Sequence, residues 1–287
     1  MVRYPAVAGS FYAGSKDALL RQIAVAYGHP LGPGGVPVLS KGPRRIKGLV
    51  VPHAGYAYSG PIAAHSYAAL AQDGWPEHIV ILGPNHHGIG APLAVCPEDH
   101  LTPFGTVTYD SPLGNAIVGG LIESDAAAHR EEHSIEVQLP FLQHLRPEVS
   151  FVPIAMIFQE WEVAKDVGAT VAKALKGKDA LIIASSDFTH VGANYGQLPP
   201  RGTTVAEFAR RQDAKALEAI LKLDAKSLHE TVRDHEITMC GYGPVIAMLT
   251  AAKQLGATEA KLLKYANSAE ITRDTNLAVG YGAVVIT

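Results

Sequence analysis

Two kinds of hydrophobic pattern alternate along the chain. Short, partly β-branched apolar runs bounded by turn residues occur at 46–51 (Ile46-Lys47-Gly48-Leu49-Val50-Val51), 78–82 (His78-Ile79-Val80-Ile81-Leu82), 149–154 and 180–184. Runs of this kind read as strands. Those at 79–82 and 180–184 are nearly continuous hydrophobes, the pattern of strands buried on both faces. Between the runs lie stretches of helical period, at 60–72, 113–122, 135–145, 161–175, 205–221 and 244–255. Within 205–221 the apolar residues Val205, Phe208, Ala209, Leu217, Ile220 and Leu221 make one stripe. Residues 277–286 read as a last strand and 104–109 as an antiparallel excursion. Strands alternating with helices predict an α/β fold, a three-layer sandwich with a mostly parallel central sheet.

Residues 28–45 include Leu31-Gly32-Pro33-Gly34-Gly35-Val36-Pro37, which predicts a surface loop. No fixed-period repeat, low-complexity tract or second linker divides the sequence. A single domain over 1–287 is the expectation.

Composition narrows the function classes. There are 24 Lys+Arg against 27 Asp+Glu, a formal charge of −3. That balance offers no basic excess to neutralise phosphates, so nucleic acid is not an expected partner. With 47% hydrophobic and 18% charged residues, the composition is that of a globular chain and not a disordered one. No apolar run reaches the roughly 18–20 residues that span a bilayer. The start, Met1-Val2-Arg3-Tyr4-Pro5-Ala6, lacks the pattern of a secretory signal. A soluble cytoplasmic protein with no membrane partner is expected. Cys96 and Cys240 make no disulfide framework, and a cytosolic setting disfavours a bridge between them.

The 13 histidines carry the chemical signal through their placement. In parallel sheets, ligands bind beyond the carboxyl ends of the strands. Three predicted strands run into reactive segments: Pro52-His53-Ala54-Gly55-Tyr56, Gly83-Pro84-Asn85-His86-His87-Gly88 and Ser185-Ser186-Asp187-Phe188-Thr189-His190. If those strands are parallel, His53, His86 or His87, Asp187 and His190 converge at one edge. One such histidine alone is more often a loop or core residue; three imidazole-bearing loops at neighbouring tips point to a site.

Two more segments join them. Glu131-Glu132-His133-Ser134-Ile135-Glu136 precedes a helical pattern, with Ser134 the expected N-cap. Met239-Cys240-Gly241 precedes another, where the helix dipole favours a thiolate. Cys240 alone would read as a small buried hydrophobe. Beside imidazoles it reads as a metal ligand. Imidazole suits iron, copper and zinc, and a thiolate turns the set away from magnesium and calcium. An unligated His190 could move protons, with Asp187 orienting an imidazole.

At these residues the chain resembles the Memo family, also called AmmeMemoRadiSam system protein B. The resemblance runs nearly end to end, through Pro5-Ala6-Val7-Ala8-Gly9-Ser10-Phe11-Tyr12, the 52–56, 82–87, 132–136 and 185–190 segments, and Met239-Cys240-Gly241. It implies a fold similar to class III extradiol dioxygenases, which hold non-haem iron with two histidines and a carboxylate. It matches His53 and His86 to the two histidine ligands, Cys240 to the third ligand and His190 to the catalytic histidine, with His87 a neighbour. A thiolate in place of the carboxylate departs from that triad and argues against catechol ring cleavage. Animal members are associated with signalling and with phosphotyrosine peptides and redox metals. Prokaryotic members are associated with a radical-SAM protein and a third partner family.

The expectation is a redox or oxygen-using protein of unknown substrate, with iron or copper (zinc as a further option) at His53, His86 and Cys240. His190, Asp187 and His133 form the catalytic set; Phe11, Tyr12, Tyr56 and His87 line the substrate site. One alternative is a binding module that uses the same cleft for a peptide or small anion. Another is a cysteine hydrolase built on Cys240, His190 and Asp187, which leaves His53 and His86 without a role.

Overall fold

The computed structural model describes residues 1–287. At its centre four strands run parallel in the order Ser150–Met156, His78–Pro84, Ala180–Ser185, Gly48–Val51. Register pairs Val80 with Val152, Ile79 with Leu181 and Val51 with Ser185. The long strand Leu277–Ile286 continues the sheet antiparallel beside Gly48–Val51, and Ala260–Asn267 pairs antiparallel with it in turn. On the far side Gly105–Tyr109 lies parallel to Ser150–Met156 and forms an antiparallel hairpin with Asp99–Thr102. The expected α/β architecture is therefore present, with parallel pairing at the centre and antiparallel pairing towards the edges.

Residue alternation explains the three layers. Leu49, Val51, Ile79, Ile81, Leu181 and Ile183 join one core cluster, packed with Leu19, Ile23, Tyr67 and Phe141 from the helices Lys16–Gly28, Gly60–Asp73 and Leu139–Leu145. Their neighbours Val50, Val80, Leu82, Ile182 and Ala184 join the other, with Val167, Val171, Ile246 and Leu249 from Trp161–Leu175 and Tyr242–Gln254. Each central strand thus presents apolar side chains to both faces, as its unbroken hydrophobic run requires.

The helices Trp161–Leu175 and Val205–Leu221 have the expected bounds. Helix Ser111–Ile117 stops short of the expected 122. The expected 135–145 helix splits into a 3-10 turn, Glu136–Gln138, and the helix Leu139–Leu145. Ser134 does not cap it: its hydroxyl donates to the Pro84 carbonyl at 2.8 Å, tying this segment to the tip of a central strand. Residues 29–45 form the expected irregular segment. The longest elements that escape the sequence reading are the helices Lys16–Gly28 and Ala225–Asp234 and the strand Ala260–Asn267. No helix is long and apolar enough to cross a membrane. Both cysteines are free, with Cys96 buried.

Candidate functional site

Parallel pairing brings the ends of Gly48–Val51, His78–Pro84 and Ala180–Ser185 to one edge of the sheet. His53 leaves the first of these. Its backbone N–H donates to Asp187 Oδ1 at 2.8 Å, and its Nδ1 lies 2.9 Å from Ser185 Oγ. The Ser185 hydroxyl gives its one proton to the Ser134 carbonyl at 2.7 Å, while Gln138 Nε2 donates to Ser185 Oγ at 2.9 Å. Ser185 must then accept from His53, which assigns the proton to Nδ1 and leaves the Nε2 lone pair free. That nitrogen stands 3.1 Å from Cys240 Sγ.

His86 is set by Glu132. The carboxylate accepts the His86 backbone N–H at 2.6 Å and faces His86 Nδ1 at 3.0 Å. It also accepts the backbone N–H groups of His133 at 2.9 Å and Ser134 at 2.7 Å. Burial works to raise the Glu132 carboxyl, but the His86 hydrogen bond and the nearby His86 and His133 charges outweigh it and hold it well below the usual carboxylate range. An ionised carboxylate only accepts, so His86 Nδ1 carries the proton and its Nε2 is free. Such a carboxylate behind a histidine is the arrangement that orients metal-binding imidazoles.

The rings of His53, His86 and His133 pack together, with centroids 5.2 Å (His53–His86), 5.5 Å (His53–His133) and 4.7 Å (His86–His133) apart. One nitrogen from each lies within 4.8 Å of the other two. Burial, then the His86 charge, lowers His53 well below its ordinary range, and burial lowers His133 to about 4 although the Glu132 charge works to raise it. Neutral imidazoles keep the lone pairs that a cation needs. With metal–ligand bonds of about 2.0–2.3 Å, donor atoms on one ion stand roughly 3–4 Å apart. The three imidazoles form a group that could hold a metal ion, and the Cys240 sulfur lies beside one of them, His53. His133, expected in the catalytic set, lies in this group of three. Cys240 touches His53 but lies outside the group of three.

Burial, then the Asp187 charge, pushes the Cys240 thiol well above its ordinary value, so any help from the helix entrance is overridden in the bare protein. Asp187 is buried and braces the backbone of the His53 turn; it makes no hydrogen bond to an imidazole ring. Tyr12 and Tyr56 do not wall a cleft. Both are buried, their hydroxyls committed to Glu136 Oε1 and the Val137 carbonyl at 2.6 Å each, because a buried phenol must find a partner. His87 is exposed at the rim, near Glu132 and His133. The Glu132 oxygens are already occupied there by the N–H groups described above.

His190 and Phe11 line a cavity of about 650 Å³ with Tyr58, Tyr195, Asp274 and Tyr281. His190 Nδ1 lies 2.9 Å from the Phe188 carbonyl and 3.0 Å from that of Thr238. Two acceptors fix the proton on Nδ1 and leave Nε2 as a base. The Phe11 ring packs 4.8 Å from the His133 ring, so the cavity adjoins the imidazole cluster.

The N-terminal segment secures this edge. Arg3 forms a buried ion pair with Glu136 and donates to the carbonyls of His129 at 3.0 Å and Glu132 at 2.6 Å. Glu136 also accepts the backbone N–H groups of Ala6 at 2.8 Å and Val7 at 3.1 Å. The residues that sequence reasoning missed are therefore Glu132 as an orienting carboxylate, and Ser185 and Gln138 behind His53. Glu132 and Ser185 lie inside motifs already singled out; Gln138 gives no local signal.

Comparison with known proteins follows the same outline. The family model described as Memo-like protein matches residues 3–285. A MEMO1 family protein of Methanothermobacter thermautotrophicus is 43% identical over 98% of this chain and 99% of its own. Another from Methanocaldococcus jannaschii is 44% identical over 99% of each. Among solved structures, an uncharacterized protein of Escherichia coli K12 aligns with a TM-score of 0.51 at 15% identity, covering 82% of this chain and 99% of that one, a likeness of fold alone.

Proposed function

The chain belongs to the Memo family, and from that premise we propose that it is a metal-dependent redox or oxygen-using protein acting on a small ring compound. His53, His86 and Cys240 hold iron or copper, with zinc a further option, and His133 stands within reach as another nitrogen donor. The observation that carries this reading is the clustering of three imidazoles, two of which have their second nitrogen committed to Ser185 or Glu132. When bound, the ion supplies a Lewis-acidic and redox-active centre. Around it, Glu132 and Ser185 hold the imidazoles in their binding tautomers. His190 Nε2 takes a proton from a ligand in the adjoining cavity, since its Nδ1 is fixed as a donor. Asp187 keeps the His53 turn in place. Catechol ring cleavage is not proposed, because a thiolate replaces the usual carboxylate. A cytoplasmic location, with a radical-SAM protein and a third family as partners, belongs to the same proposal.

Elemental analysis of protein purified without an affinity tag tests it. The expected result is stoichiometric iron or copper, lost in His53→Ala and Cys240→Ser and retained in His87→Ala. Equal losses at His53 and His87 would overturn the ligand assignment. Metal-free protein that binds a ligand tightly would favour a non-catalytic binding module.

A further inference from the structure

The cavity beside the imidazole cluster has a chemical bias of its own. Its volume of about 650 Å³ suits a small organic molecule. Phe11, Tyr58 and Tyr195 offer ring surface, with Tyr58 and Tyr195 substantially exposed. Aromatic faces carry negative potential and attract cations. The charged side chain in the lining is Asp274, and no lysine or arginine is present there. Asp274 Oδ1 accepts the Asn276 backbone N–H at 2.7 Å, which fixes the carboxylate, while Oδ2 makes no hydrogen bond within the protein. A phosphate or carboxylate would meet the Asp274 carboxylate here and no guanidinium or ammonium.

We infer that the cleft selects a small aromatic compound bearing a protonated amine, with Asp274 as the residue that recognises the ammonium group. The ring lies against Phe11, Tyr58 and Tyr195, and a hydroxyl on it can reach the free nitrogen of His190. This inference rests on reading the cleft as the substrate site. It runs against a phosphotyrosine-like ligand in the same space.

Calorimetric titration with tyramine, 4-ethylphenol and phenyl phosphate tests it, since the three share a ring and differ in charge. Each is titrated into wild-type protein and Asp274→Asn, with metal retained and after chelation. The amide still accepts the Asn276 N–H, so the turn is preserved. Tyramine should bind about two- to fivefold more tightly than 4-ethylphenol, the margin expected of one partly exposed charge pair. Phenyl phosphate should bind most weakly. Asp274→Asn should erase the tyramine margin and leave 4-ethylphenol unchanged. Phenyl phosphate binding most tightly, an unaltered margin in Asp274→Asn, or no binding of any of the three would overturn the inference. A margin that persists in protein unable to hold metal would sink the metal proposal and leave this one standing; retained metal without the margin would do the reverse.

Discussion

Replacing Glu132 by glutamine tests how the imidazole cluster is held. The carboxylate takes three N–H groups at Oε1, from His86 Nδ1, His133 and Ser134, and one at Oε2, from the His86 backbone at 2.6 Å. An amide has one oxygen. Its better orientation keeps oxygen on the three-donor side and turns NH₂ against the His86 N–H. One part-buried backbone donor is then orphaned, at a cost of about 1 kcal/mol. The three remaining bonds change from charged to neutral acceptor, and charge-assisted bonds are roughly twice as strong as neutral ones. A total near 3 kcal/mol of lost stability follows. Metal affinity should fall about 10–100-fold, the usual effect of removing an orienting group behind a ligand. Urea unfolding in chelator measures the first quantity, and competition with a chromophoric chelator the second. A Glu132→Gln variant with wild-type metal affinity and less than about 1 kcal/mol of destabilisation would refute the argument.

Three further outcomes are expected. Glu136→Gln leaves the Arg3 guanidinium buried without its counter-ion, so denaturation should show a loss of about 3–5 kcal/mol; an unchanged midpoint would contradict this. In Gly241→Ala the new Cβ would stand 2.4 Å from the Ser185 carbonyl oxygen and 2.7 Å from Ser186 Cβ. The Cys240 segment must shift, and metal retention should drop together with about 1–3 kcal/mol of stability; retention at the wild-type level would count against the placement of Cys240. Asp213 is raised from 3.8 to about 6, chiefly by burial. Its folded state prefers the neutral form, so its stabilising contribution is complete below pH ~4 and lost as pH rises through about 6. Wild-type stability minus that of Asp213→Asn should therefore fall by roughly 2–3 kcal/mol between pH 4 and 7, and a difference constant with pH would exclude the effect.

The sequence made the central sheet legible because strands buried on both faces need unbroken apolar runs, and parallel pairing then dictated that His53, His86 and Asp187 share one edge. Helix Ala225–Asp234 was hidden because only Leu228 and Val232 are buried among charged neighbours such as Lys226, Glu230 and Arg233. Strand Ala260–Asn267 carries Lys261 and Lys264 and is mostly half-buried, which blurs its alternation. Helix Lys16–Gly28 did carry a signal, in the spacing of Leu19, Ile23, Ala26 and Tyr27. At the site, residue type suggested roles that tertiary contacts reassigned. Ser134 looked like a cap until the Pro84 carbonyl claimed its hydroxyl, and Tyr12 and Tyr56 looked like cleft walls until the core claimed their rings. Glu132 stood in the sequence only as part of an acidic segment before a helical pattern, and its meaning depends on His86, 46 positions away.

The central claim is that one transition-metal ion sits among these side chains. A crystal of untagged protein, grown without added metal and measured on both sides of the iron and copper absorption edges, tests it most directly. A single anomalous peak within bonding reach of His53, His86 and Cys240 is the expected result. A map with no such peak, or with its only peak at the His87 rim, would contradict it.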